Sequence, residues 1–97
     1  MIKGLHPMHP GELLAEDIIP ATGLTKTAVA ERLHISRQSL YDILKGRQPV
    51  TANVALRLAR LFGNSPGFWL NLQAAYDVAV LGDEMADELA GITPVQY

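Results

Sequence analysis

Apolar residues recur along this chain at intervals of three and four, and no stretch alternates long enough to form a strand, so the pattern predicts an all-α fold. A first helix is expected from Pro10, a favourable first-turn residue, with Glu12 near its positive end and Leu13, Leu14 and Ile18 facing inward until Pro20 stops it. Thr25 is placed to cap a second helix, Lys26 to Leu33, whose inner positions are Val29, Ala30 and Leu33. Ser36 is placed to cap a third, which Gly46 ends. On this third helix Leu40, Ile43 and Leu44 fall on one side, while Gln38, Tyr41, Asp42 and Lys45 gather on the other with Arg37 at the leading end. Pro49 forbids helix in the following loop, and Thr51 caps a fourth helix ended by Gly63. Its stripe is Val54, Ala55, Leu58, Leu61 and Phe62, leaving Asn53, Arg57 and Arg60 toward water. Ser65 and Pro66 open a long fifth helix reaching at least Val80, and residues 91–97 read as a loose tail. Phe68, Trp69, Leu72, Ala75, Tyr76 and Ala79 are expected to cover the body. Leu70, Ala74 and Leu81 lie nearly opposite, an aligned apolar set that points to a second copy of the chain.

At 97 residues the chain is expected to form one domain, residues 1–97, with a single core. The net charge of −2 conceals an asymmetry: all eight basic residues precede Gly63, against five acids, giving +3, while the remainder has five acids and no base, giving −5. A mildly basic body and an acidic end follow, with room for a local basic surface. The absence of cysteine excludes disulfides and thiolate chemistry. His6 and His9 invite a metal reading, but Pro7 and Pro10 keep them off a shared helical face and no third ligand is near, so structural roles are favoured and neither metal nor cofactor is expected. Glu84, Asp87 and Glu88 lack the loop spacing of a calcium site and read as a solvated face. No paired nucleophile and base or phosphate-cradling glycine loop is present, so an enzyme is not expected. The N-terminus has one lysine and no apolar run of signal length, and nothing approaches the roughly 20 apolar residues of a membrane span. A cytoplasmic protein without membrane contact is expected.

The second and third helices, separated only by His34 and Ile35, have the spacing of a helix-turn-helix at about 25–45, whose second helix enters the major groove of double-stranded DNA. Ala30 is small where the helices approach, and the helix start after Ser36 suits a phosphate oxygen. The turn calls for positive φ, which suits glycine; His34 stands there instead, at some energetic cost.

With the flanking motifs, the chain resembles the lambda-repressor-like (Xre-type) domains and, among them, the HigA/VapI antitoxins. The resemblance covers roughly residues 6 to 80 and rests on HPGELLAEDI, VAERLHISRQSLYDILKGRQPVT, ALRLARLFGNSP and FWLNLQAAYD. It implies a dimeric five-helix protein that neutralises a small HigB-like ribonuclease toxin of the RelE-like fold and represses its own operon. Carried over, it gives Ser36 a phosphate contact, puts Arg37, Gln38 and Ser39 at base edges, sets Tyr41 and Asp42 beside the groove, and places Arg47, Thr25 and Lys26 on the DNA backbone; Lys45 joins the DNA-facing set by its place on the outer side of the third helix. The chemistry agrees: arginine clamps guanine O6/N7 and glutamine adenine N6/N7, whereas Asp42 repels phosphate unless it accepts from cytosine or orients a neighbour. Two readings compete: a repressor of the same family without a toxin, and a protein-interaction module that does not bind DNA.

Overall fold

A computed structural model describes residues 7–97; His6 of the metal reading lies outside them. The described residues are helical throughout, with no strand. The first helix, α1, spans 10–22 in three continuous pieces: an α turn Pro10–Leu13, a π segment Leu14–Ile18, and a second α turn Ile19–Thr22. It is followed by α2 (Lys26–Leu33), α3 (Arg37–Leu44), α4 (Ala52–Phe62), α5 (Pro66–Glu84) and the short α6 (Ala86–Ala90).

Four helix starts form as the sequence predicts. The hydroxyls of Thr25, Ser36, Thr51 and Ser65 accept from the backbone N–H of Ala28, Ser39, Val54 and Phe68, each filling one of the donors a helix leaves unpaired at its start. Pro20, in contrast, does not stop α1. A proline ring in a regular helix collides with the carbonyl four residues back. Here the π segment immediately before it, in which the Ile19 N–H bonds to the Leu14 carbonyl five residues back, widens the turn, and the helix continues to Thr22 with Pro20 exposed. Gly23 then closes it at φ 74°.

The core gathers Leu14 and Ile19 from α1, Val29 and Leu33 from α2, Leu40 and Ile43 from α3, Leu58 from α4 and Trp69 from α5. Each such side chain contributes about 1.5–3 kcal/mol by leaving water. Trp69 is fully buried, and its indole N–H donates to Asn64 Oδ1 at 2.7 Å.

The helix α5 departs from its expected faces. Phe68 and Ala75, expected on the body, are exposed. Leu70, expected in water, is half-buried and packed against the core cluster. Ala74 and Leu81 are exposed as expected, joined by Val78 at 72 % exposure. The body-facing stripe contains the buried Gln73, whose Oε1 accepts from the Val50 N–H at 2.7 Å and whose Nε2 donates to Asp77 at 2.9 Å. Beyond Met85 the helix breaks and restarts as α6, and residues 92–97 have no regular structure. No helix among the described residues is long and apolar enough to cross a membrane.

Candidate nucleic-acid interface

The third helix is a short, capped rod closed at both ends by the same backbone device. At the end of α2, His34 adopts φ 59°, ψ 41°; its N–H bonds to the Glu31 carbonyl and the Ile35 N–H to the Ala30 carbonyl, both at 3.1 Å. These are the two bonds of a Schellman turn. It reverses the chain in so few residues that Ser36 is already the cap of α3. At the other end Gly46 adopts φ 73°, with its N–H on the Ile43 carbonyl at 3.0 Å and the Arg47 N–H on the Asp42 carbonyl at 2.8 Å. That second turn ties the Arg47 backbone to the helix it follows.

Two contacts from distant elements hold this rod. Arg57 of α4, expected in water, is half-buried: its Nη1 donates to the Leu33 carbonyl at 3.0 Å and to the His34 carbonyl at 3.3 Å, while Nε donates to Asn53 Oδ1 at 2.8 Å. On the opposite side, Gly11 of α1 is buried against α3 so closely that a Cβ there would overlap the Ile43 carbonyl. Neither contact could be read from local pattern, since each joins residues far apart in the chain. The only signal for Gly11 was a glycine inside a helix, where it lowers propensity and so calls for a packing reason.

His9 ties α1 to the same region. Its Nδ1 accepts from the Gly11 N–H at 2.9 Å, so it caps α1, and its ring stands edge-on to Tyr76 of α5 with centroids 4.9 Å apart. Burial lowers the imidazole below its ordinary value, with Asp77 and Glu12 pulling weakly upward. A ring whose Nδ1 is an acceptor inside the protein fits the structural role expected of it.

The outer side of α3 carries the candidate residues. Arg37, Gln38, Tyr41 and Lys45 are exposed, and Ser39 and Asp42 are half-buried. Gln38 Nε2 donates to Asp42 Oδ1 at 3.0 Å, one helical turn on. Ser36 Oγ accepts from the Ser39 N–H at 3.0 Å and pairs with Ser39 Oγ at 2.9 Å, which leaves the amides of Arg37 and Gln38 without an intrahelical acceptor. Lys26 Nζ lies 6.0 Å from the centre of the Tyr41 ring, bringing the start of α2 beside the middle of α3. Thr25 is exposed and spends its hydroxyl on the α2 cap, and Arg47 is exposed in the loop. The result is a ridge of donors with open helix-start amides at one end.

The chain matches the family model described as a helix-turn-helix domain over residues 20–80. It is 42 % identical over 71 residues to virulence-associated protein I of Dichelobacter nodosus, covering 73 % of this chain and 66 % of that protein. Antitoxin HigA-1 of Vibrio cholerae is 33 % identical over 89 residues, 92 % of this chain and 84 % of its own length. Among solved structures, the Pseudomonas aeruginosa antitoxin HigA with the higBA promoter superposes with a TM-score of 0.87 at 30 % identity, over 94 % of this chain and all of that one. The chain belongs to the HigA/VapI-type antitoxins of the Xre helix-turn-helix family. For a HigA-type chain, the His34 turn and the Gly46 turn enclose the element that the motif assigns to recognition.

Proposed function

We propose that this protein is a sequence-specific repressor and antitoxin that lays α3 in the major groove of its operator. The observation that carries this reading is the donor-rich outer side of α3, held rigidly at both ends, on a chain similar to a HigA solved with its promoter. In this reading Arg37, Gln38 and Ser39 meet base edges, with Tyr41, Asp42 and Lys45 flanking them. Ser36, Thr25, Lys26 and Arg47 meet phosphates, fixing register without specifying sequence.

The protein acts as a homodimer, because one short helix spans too few base pairs and two-fold proteins set their recognition helices about 34–36 Å apart. The exposed Ala74, Val78 and Leu81 of α5 supply the apolar seam, with Leu70 at its edge. The second partner is a small HigB-like ribonuclease toxin of RelE-like fold, neutralised by capture. Such toxins are usually basic, so the acidic Asp83, Glu84, Asp87 and Glu88 are the first surface to test, against the acidic Glu12, Glu16 and Asp17 of α1.

Footprinting the purified chain on its own promoter, and co-purifying it with the product of each neighbouring reading frame, tests both halves. Arg37→Ala and Gln38→Ala should each weaken operator binding by about 1–3 kcal/mol and relax base preference, whereas Arg47→Ala should weaken all sequences alike. Unchanged operator affinity in both base-edge variants at fixed salt removes the groove assignment.

A further inference from the structure

We infer that Asp42 determines which base Gln38 reads, by turning the Gln38 amide so that it presents the pair of groups that matches adenine. The inference deepens the reading of α3 as the groove helix and rests on it. Gln38 and Asp42 stand one helical turn apart on the outer side of α3, and Nε2 of the first donates to Oδ1 of the second at 3.0 Å. An ionised carboxylate only accepts hydrogen bonds, so the NH2 end of the amide is the end that faces Asp42. One N–H is used there. The second N–H and the Oε1 lone pairs remain for a partner beyond the protein surface.

One donor beside one acceptor is the complement of adenine, whose N6–H2 donates and whose N7 accepts in the major groove. Guanine presents N7 and O6, both acceptors, and a glutamine held in this way brings its Oε1 against one of them. Asp42 is itself anchored: it is half-buried, and its carbonyl takes the Arg47 and Gln48 N–H groups at 2.8 and 3.2 Å, so the carboxylate is borne by a turn of α3 that the following loop ties down. A negative charge on a surface meant for phosphate weakens binding of every sequence. Aiming a neighbouring amide is a role that offsets this, and it also spares Gln38 part of the rotamer freedom otherwise lost on binding.

The test uses the full chain and a randomised duplex library, from which preferred sites are selected; competing duplexes differing at one base pair then read preference at fixed salt. The wild type should show adenine at the position whose preference Gln38→Ala abolishes. Asp42→Glu, which keeps an acceptor one turn away, should retain it. Asp42→Asn, which can accept or donate, should admit both amide orientations and reduce adenine-over-guanine discrimination by about 10-fold. Asp42→Lys, which only donates, should capture Oε1, turn the NH2 group outward and shift the preference toward guanine.

Removing the negative charge strengthens binding to all duplexes, which is why the ratio between duplexes is the readout, and helix content measured beside it shows that the variants fold. Adenine preference unaltered in Asp42→Lys, or a wild-type preference for guanine at the Gln38-dependent position, overturns the inference while leaving the groove reading in place. If Gln38→Ala changes no preference at any position, the inference falls, and the groove reading falls with it only where Arg37→Ala also leaves operator binding unchanged.

Discussion

His34 before α3 and Gly46 after it take nearly the same left-handed backbone, φ 59° and 73°, and close their helices with the same pair of hydrogen bonds. Glycine adopts that conformation freely, whereas a residue with a Cβ is strained by about 1–2 kcal/mol. The trailing turn therefore follows from its own residue. The leading turn is maintained by its surroundings: Arg57 reaches across from α4 to the carbonyls of Leu33 and His34 and holds the chain in the strained form. The trailing turn is instead backed by packing, with Gly11 pressed on the Ile43 carbonyl and His9 beside Gly46. One end of α3 is fastened by polar bonds and the other by close approach.

The largest effect should come from the packed end. Gly11→Ala drives a methyl into the Ile43 carbonyl and forces α1 off α3; we expect a loss of about 3 kcal/mol or more in a urea titration, at the upper end of the overpacking range. A loss under about 1 kcal/mol would show that α1 yields freely and that this contact does not hold α3. At the polar end, Arg57→Ala should cost about 2 kcal/mol, the scale of hydrogen bonds from a charged donor to part-buried carbonyls, and Arg57→Lys should restore little because a lysine cannot span both carbonyls and Asn53. Stability unchanged in Arg57→Ala would mean the His34 turn stands without its clamp.

Exchanging the two turn residues sharpens the contrast. Gly46→Ala should destabilise by about 1–2 kcal/mol, and His34→Gly should stabilise by about 1 kcal/mol, in the same titration. Opposite signs are the expected signature of equal backbones filled by unequal residues. Equal signs would break the comparison.

The smallest effect is in pH. Burial holds the folded pKa of His9 below its ordinary 6.5, so the unfolded chain binds the proton more readily. The stabilisation from neutral His9 is therefore complete above about 6.5 and is lost as pH falls through the lower folded value. Protonation also removes Nδ1 as the acceptor for the Gly11 N–H. His9→Asn keeps a capping acceptor that does not titrate, so melting measured from pH 7 to 5.5 should fall more steeply in the wild type than in the variant. Parallel curves would remove His9 as the source.

Much of the candidate site was legible because its determinants are local. The outer face of α3 and the caps at Thr25, Ser36, Thr51 and Ser65 each depend on residues within a turn of one another, and each is found where periodicity and cap chemistry placed it, while the positive φ at His34 is found where the helix-turn-helix motif calls for it. The partners of those residues were less legible. That Gln38 is bound to Asp42 follows from spacing only as one of several possible pairs, and the structure selects it.

What the sequence by itself determined is where α1 to α5 begin and the chemistry of the outer face of α3, because a hydroxyl cap, a helix-start proline and an apolar stripe act over three or four residues. The tertiary structure alone decided how those helices are held together. Pro20 passes inside a helix because a π turn precedes it, Leu70 is half-buried because it packs against the assembled core, and Gln73 is buried because the Val50 N–H, 23 residues away, needs an acceptor. Arg57 and Gly11 belong to the same class. Their roles arise only when distant segments meet, where the need to pair every buried polar group and to exclude every overlapping atom is settled by three-dimensional neighbours rather than by chain neighbours.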